Sequence, residues 1–129
     1  MLTPAVVAGW RVINHDPFSH EACLPVGHTR TGVPAWIHRE CVEAEVRIVT
    51  GFIEPHFFAG FSGGPKGIMP GVAHVDTVMS NHGAKNIGSP RAGFGQCEGN
   101  PVWEELMEIA QRVGPSFLLN VTLNDRREI

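Results

Sequence analysis

The order of apolar and polar residues along the first half of this chain predicts short strands alternating with helices. Residues 10–14 form a short apolar-rich segment before a turn-forming Asn-His-Asp-Pro, which predicts a first strand. Residues 33–37 predict a second strand and residues 38–44 a short helix, whereas residues 18–28 carry no clear pattern. The β-branched run within residues 45–52 predicts a buried strand that leads directly into a glycine-rich loop.

Helical spacing appears after that loop. Val78 and Met79 stand three to four residues before His82, so a predicted helix over residues 74–82 presents His82 on their face. A loop is expected over residues 87–99, where three glycines fall in the second half. This arrangement places one histidine beside the apolar face of a short helix.

The clearest helix begins after Asn100, because asparagine is a favoured N-cap and Pro101 suits the first helical position. Gly114-Pro115 ends it. A final strand is predicted over residues 117–123. The apolar stripe of the helix, which should face the core, consists of Val102, Leu106, Ile109, Ala110 and Val113.

This alternation of strands and helices predicts an α/β fold. We expect an incomplete α/β domain with a few short strands, a glycine-rich loop and packing helices. Both ends of the chain adjoin predicted strands without a closing element, so the 129 residues are expected to be one piece of a larger protein.

Composition narrows the class of protein. Hydrophobic residues make up 43% of the chain, which is typical of a globular domain. The net charge of −3 comes from interspersed acids and bases, which argues against a nucleic-acid partner. No apolar run approaches the roughly 20 residues of a membrane helix, and the N-terminus lacks the basic segment of a signal peptide. Cys23, Cys41 and Cys97 are distant from one another and read as buried thiols, so we expect a cytoplasmic protein without a membrane partner.

Residues 54–70 carry the chemistry of the chain. They place His56 and Lys66 on either side of a glycine-rich turn, and His82 follows. A strand followed by such a turn can hold a phosphate. The motif is a poor Walker sequence, however, because Pro65 precedes the lysine and Gly67 stands where a magnesium-binding Ser or Thr is needed. Phosphate binding and an ordinary tight structural loop both remain open.

Each of the three side chains also has a functional and an ordinary interpretation. His56 is either an acid/base with a pKa tuned near neutrality or a hydrogen-bonded structural histidine. Lys66 is either a cation or covalent anchor beside a ligand, or a solvated surface lysine. His82 is either a metal ligand or a histidine on a helix face. The other histidines show no metal-binding spacing, although His15 beside Asp16 could be a supporting pair.

A family resemblance selects between these interpretations. The run from Pro55 to Gly71, Pro-His-Phe-Phe-Ala-Gly-Phe-Ser-Gly-Gly-Pro-Lys-Gly-Ile-Met-Pro-Gly, resembles the hallmark of the nickel-dependent lactate racemase family, as does Asn81-His82. Segments 14–16, 27–34, 99–102 and 117–124 are also similar to that family's N-terminal domain. Residues 1–129 are therefore expected to be part of an N-terminal catalytic domain.

The resemblance implies a nickel-pincer nucleotide, Ni(II) pyridinium-3-thioamide-5-thiocarboxylic acid mononucleotide, bound covalently. By motif position, Lys66 would be joined to it through a thioamide, His82 would be the nickel ligand of the protein, and His56 would be one of two acid/base histidines. Ser62, Gly63 and Gly64 of the loop would lie against the cofactor. One imidazole beside soft carbon and sulfur donors suits square-planar nickel.

The implied reaction inverts a small 2-hydroxy acid. A histidine takes the hydroxyl proton while hydride moves from carbon to the cofactor, and the keto acid is then reduced on its other face. In the family, the second acid/base histidine and an Asp-x-Thr-Arg segment lie upstream of the region covered here, and His38-Arg39 is not a substitute for them. The remaining segments of the parent protein are therefore expected partners. The open alternatives are a phosphate- or nucleotide-binding module without catalysis and an inactive remnant.

Overall fold

The structure is a computed structural model that describes residues 3–124 and 126. Two 3-10 turns, at His20–Ala22 and Gly64–Gly67, accompany the regular elements. Those elements are, in chain order, α1 Pro4–Gly9, β1 Cys23–His28, β2 Pro34–His38, α2 Arg39–Glu43, β3 Ile48–Phe52, β4 Pro55–His56, β5 Gly60–Phe61, α3 Val75–Asn81, α4 Ala84–Ile87, α5 Pro101–Val113 and β6 Phe117–Val121.

The strands of the described part form three small sheets of two strands each. β1 and β2 are an antiparallel hairpin in which Cys23 is opposite His38. β3 and β6 are parallel, from Ile48 opposite Phe117 onwards. β4 and β5 are antiparallel and very short. Mixed small sheets with packing helices confirm the prediction of an incomplete α/β domain.

Helix α5 provides the largest share of the core. All five residues of its predicted apolar stripe are buried. They pack in one cluster with residues of β2, of the β4–β5 turn and of the segment after the glycine loop, namely Ala35, Ile37, Ala59, Ile68, Met69 and Ala73. The prediction for this helix is therefore confirmed in its bounds and in its buried face.

The N-cap of α5 is also the predicted one. Asn100 is fully buried, and its Oδ1 accepts hydrogen bonds from the N–H groups of Val102 and Trp103. Its Nδ2 donates to the carbonyl oxygens of Phe58 and Gln96. The side chain therefore caps the helix and also holds the backbone at Phe58 in place.

The sequence prediction is wrong at residues 10–14, which form no strand. Trp10 is 76% exposed, and Arg11 forms an ion pair with Glu40 on α2. No described strand pairs with this segment, so its local strand preference is not stabilised. The unassigned region contains β1 instead, which the pattern did not reveal because Pro25 and Gly27 are unfavourable in strands.

The strand predicted over residues 45–52 exists but is shorter and is not buried. It starts at Ile48, whose side chain is 63% exposed, and ends at Phe52, which is also exposed. Phe117 and Leu119 on β6 are exposed as well. Parallel strands are normally covered on both faces, so β3 and β6 present uncovered apolar surface in the described part of the chain.

The remaining element predictions are confirmed, namely β2, α2, α3 and β6, each within a few residues of its expected bounds. α4 at Ala84–Ile87 was not predicted, and only its last residue falls within the predicted loop over residues 87–99. His82 caps the C-terminal end of α3. Among residues 3–124 and 126, no helix has the length and apolar character needed to cross a membrane.

Candidate functional site

The glycine-rich loop is tied down on the side of β3. Ser62 donates its hydroxyl hydrogen to the carbonyl oxygen of Phe52 at 2.8 Å and accepts the Glu54 N–H at 2.9 Å. The Ser62 N–H also donates to the Glu54 carbonyl oxygen. Through these bonds, Ser62 fixes the loop to the end of β3.

Gly63 and Gly64 follow with backbone φ angles of 73° and 53°, which side-chain-bearing residues rarely adopt. A Cβ atom on Gly63 would lie 2.9 Å from the Phe52 carbonyl oxygen. The Gly64 N–H donates to Oδ1 of Asn120 on β6 at 3.1 Å. The two glycines therefore allow the loop to turn tightly against β3 and β6.

Lys66 lies in the 3-10 turn after these glycines. Its N–H donates to the Gly63 carbonyl oxygen at 3.1 Å, so the N–H groups of Gly64 and Lys66 both have partners within the protein. This weighs against a phosphate cradle built from those two amides. The side chain is half-buried, and burial lowers the pKa of its amine. The turn therefore presents an amine that loses its proton more easily than a solvated lysine.

His56 ends β4 and packs its ring edge-on against Phe58, with ring centroids 4.7 Å apart. Its Nδ1 accepts the Ala59 N–H at 3.3 Å, so Nε2 carries the proton in the neutral ring. Burial lowers the pKa of His56, and the charges of Lys66 and His82 lower it further, whereas Glu54 raises it. At neutral pH, His56 is therefore held as an uncharged imidazole that can donate a hydrogen bond from Nε2.

His82 follows α3 and packs edge-on against the same Phe58 ring, at 5.3 Å between centroids. Its Nδ1 lies 3.1 Å from the Val78 carbonyl oxygen; this oxygen can only accept, so Nδ1 carries the proton and Nε2 keeps its lone pair. Burial lowers the pKa of His82, the Val78 bond raises it, and the charge of Lys66 lowers it. An uncharged imidazole with a free Nε2 is the form that binds a metal ion.

The two histidines therefore lie on one aromatic ring, and the charge of Lys66 acts on both. The sequence pattern indicated His56, Lys66 and His82 but not Phe58, which joins them. The only signal was the Phe57-Phe58 pair directly after His56. A separate open groove of about 580 Å³ runs along α5 past Trp103, and none of the three polar side chains lines it.

The sequence pattern also did not indicate a buried polar cluster beneath α3. Asn81 and Asn86 both donate through Nδ2 to Oε2 of Glu105, at 2.8 and 3.3 Å. The Arg30 N–H donates to Oε1 of Glu105 at 3.1 Å, and Asn86 donates to the Asn81 carbonyl oxygen at 2.9 Å. All three side chains are buried. The cluster connects α5 to the residue immediately before His82.

His15 and Asp16, the possible supporting pair, each hydrogen-bond to the backbone of another residue. His15 Nε2 hydrogen-bonds the Ala73 carbonyl oxygen, and Asp16 accepts the Phe18 N–H. His38 caps α2 by accepting the Glu40 N–H. His15 and His38 therefore make local structural contacts, whereas His56 and His82 pack against the same aromatic ring.

The lowered pKa values predict that stability depends on pH. Between the lowered pKa values of His56 and His82 and the ordinary value of about 6.5, the folded chain binds fewer protons than the unfolded chain, so the free energy of unfolding rises with pH. Acidification from pH 7.5 to 5.5 should therefore lower the melting temperature more in the wild type than in a His56→Gln/His82→Gln variant. His28→Gln, at an exposed histidine, is the control. Equal slopes for wild type and double variant would contradict the expectation.

Residues 1–95 match the family described as lactate racemase N-terminal domain. The chain is 36% identical over 124 residues to a lactate racemase of Thermoanaerobacterium thermosaccharolyticum and 33% identical over 124 residues to one of Lactiplantibacillus plantarum. Each match covers 96% of this chain and 29% of the relative, so the chain spans less than a third of their length.

Solved structures share the fold of this chain. The lactate racemase apoprotein from Thermoanaerobacterium thermosaccharolyticum superposes with a TM-score of 0.86 at 38% identity, over 89% of this chain and 28% of that one. A crystal structure of a Thermotoga maritima protein superposes with a TM-score of 0.75 at 23% identity, over 90% of this chain and 32% of that one. The second match is evidence for the fold alone.

Proposed function

Because the chain belongs to the lactate racemase N-terminal domain family, we propose that it forms part of a racemase or epimerase of small 2-hydroxy acids that depends on a covalently bound nickel-pincer nucleotide. The family membership confirms the resemblance noted in the sequence. What we propose beyond this membership is the activity, the cofactor and the substrate of the whole protein.

The observation that carries this proposal is the arrangement of two uncharged imidazoles on Phe58 beside a half-buried amine. Burial disfavours the charged form of the Lys66 amine, and the charge of Lys66 in turn disfavours protonation of His56 and His82. An arrangement that costs stability in this way is typical of a functional site.

Lys66 is proposed as the covalent attachment point. An amine must lose its proton before it can act as a nucleophile, and the lowered pKa of Lys66 increases the fraction that has done so. Ser62, Gly63 and Gly64 would border the cofactor by shaping the turn that carries the lysine. Their described bonds support a positioning role, because the Ser62 hydroxyl and the Gly64 N–H already have protein partners.

His82 is proposed as the nickel ligand. Its Nε2 lone pair is free, and it supplies one position of a coordination sphere. Among the described residues, no group of three potential ligands includes His82, so the remaining donors would have to come from the cofactor. A single imidazole beside soft donors fits that requirement. When bound, the cofactor would supply the centre that accepts and returns the hydride of the substrate.

His56 is proposed as one acid/base group. Its Nε2–H can donate to a substrate oxygen, and its lowered pKa keeps the ring uncharged near neutral pH. To accept a proton at Nε2, the ring must first carry its hydrogen on Nδ1 instead, which breaks the bond from the Ala59 N–H. Inversion needs such a group on each face of the planar intermediate. The second group is proposed to come from the remaining segments of the parent protein, as is the surface that covers β3 and β6.

Nickel content and intact mass test this proposal. The full-length parent, purified from cells that make the cofactor, is expected to contain nickel and to show a covalent mass increase located on the peptide that carries Lys66. It should also interconvert the two enantiomers of a 2-hydroxy acid. A parent that has neither nickel nor a mass increase after production in such cells would refute the proposal.

A further inference from the structure

A group of potential metal ligands does not include any residue of the His56, Lys66 and His82 site. His20 belongs to the 3-10 turn before β1, His74 is the residue before α3, and Asp76 is in the first turn of α3. One ligand atom of each lies within 4.8 Å of the other two. We propose that these three residues bind a divalent cation of borderline softness, such as Zn²⁺ or Ni²⁺.

The contact between His74 and Asp76 supports a cation. The His74 ring is buried, with 4% of the residue exposed, and its Nδ1 accepts the Asp76 N–H at 3.2 Å. Nδ1 of the neutral ring therefore has no hydrogen, yet it lies 3.5 Å from Oδ2 of Asp76, which is also an acceptor. Two acceptors facing each other repel, and a metal ion bound by both turns that repulsion into attraction.

The same separation suits coordination. With metal–nitrogen and metal–oxygen bonds of about 2.1 Å, two ligands of a tetrahedral ion stand about 3.4 Å apart. A cation at this point replaces the hydrogen bond from the Asp76 N–H, and that group lies at the exposed start of α3, where water can take over.

His20 supplies the third ligand. Its ring packs edge-on against Trp36, at 4.1 Å between centroids, and against His74, at 4.6 Å. These contacts place the ring beside His74. Because His20 and Asp76 are exposed, each can rotate by the small amount needed to bring all three ligands to coordination distance.

The donor set limits the choice of cation. Two imidazoles and one carboxylate favour zinc, nickel or cobalt over magnesium or calcium, which prefer oxygen ligands. Three protein ligands leave the remaining positions to water. A bound ion would join the turn before β1 to the start of α3, so binding should also stabilise the folded chain.

Calorimetric titration of the metal-free 129-residue chain with ZnCl₂ tests the site, together with melting temperatures with and without ZnCl₂. One equivalent should bind and raise the melting temperature. His20→Ala and His74→Ser should each weaken binding by more than about tenfold. Serine is a good N-cap, so His74→Ser removes the ligand and keeps the start of α3.

His82→Ala separates this site from the proposed nickel ligand and should bind zinc as the wild type does. Wild-type affinity in both His20→Ala and His74→Ser, or loss of binding in His82→Ala alone, would overturn the proposal. CoCl₂ provides a second readout, because tetrahedral cobalt absorbs visible light strongly and the band should disappear in His20→Ala. The outcome does not depend on whether the parent carries a nickel cofactor.

Discussion

Replacing Lys66 by alanine is expected to remove the proposed covalent cofactor completely from the parent protein. The chain has two lysines, Lys66 and Lys85. Lys66 is half-buried on the loop beside His56 and His82, and burial lowers the pKa of its amine, whereas Lys85 is exposed. Intact mass spectrometry of protein from cofactor-producing cells should show the adduct in the wild type and only the bare chain in Lys66→Ala. Racemisation should fall to the background rate in the same preparation.

Two matched variants sharpen this experiment. Lys85→Ala changes an exposed lysine on α4 and should retain the full adduct and activity. Lys66→Arg keeps a positive charge at the loop but replaces the amine by a guanidinium that stays protonated, so it should carry no adduct. An adduct on Lys66→Arg, or one that disappears only in Lys85→Ala, would show that Lys66 is not the attachment point.

Replacing Glu105 by alanine is expected to lower the free energy of unfolding by about 3 kcal/mol, a large fraction of the stability of a small domain. The substitution removes the acceptor of three hydrogen bonds and leaves a cavity between α5 and α3. The Arg30 N–H then has no acceptor there, while Asn81 and Asn86 each keep one bond. Urea denaturation measures the change.

Glu108 on the same helix is the matched control. It lies at the surface in ion pairs with Arg30 and Arg112, and such pairs contribute less than about 1 kcal/mol. Alanine favours helix at both positions, so the difference between Glu105→Ala and Glu108→Ala reports burial rather than helix propensity. If both variants lose the same free energy of unfolding, the buried cluster contributes no more to stability than a surface ion pair does.

The elements that the sequence predicted correctly are those with strong local signals. Helix α5 combines a capping asparagine, a proline at its first position, a regular apolar stripe and a terminal glycine, all of which act within the helix itself. Strand predictions depended on distant partners. Residues 10–14 have no partner strand, and β1 forms despite a proline and a glycine because β2 pairs with it.

In the candidate site, too, the residue types were predictable from the sequence, whereas the contacts between distant residues were not. Spacing and residue type indicated His56, Lys66 and His82, and the family resemblance assigned roles that remain proposals. The sequence pattern did not indicate that Phe58 contacts both imidazoles. Phe58 lies between β4 and β5, whereas His82 lies at the end of α3, 24 positions later in the chain. The pKa values of the three groups likewise depend on burial and mutual charge, which are properties of packing.

The sequence by itself determined the family, the principal helix and the residue types available for chemistry, because these are encoded in motifs and local periodicity. Tertiary structure alone decided which of three glutamates on α5 is buried and which histidines face one aromatic ring. It also decided that the apolar strand β3 is uncovered rather than buried. The physical reason is that burial and contact depend on segments far apart in the chain, whereas a motif records only which residues are neighbours along it.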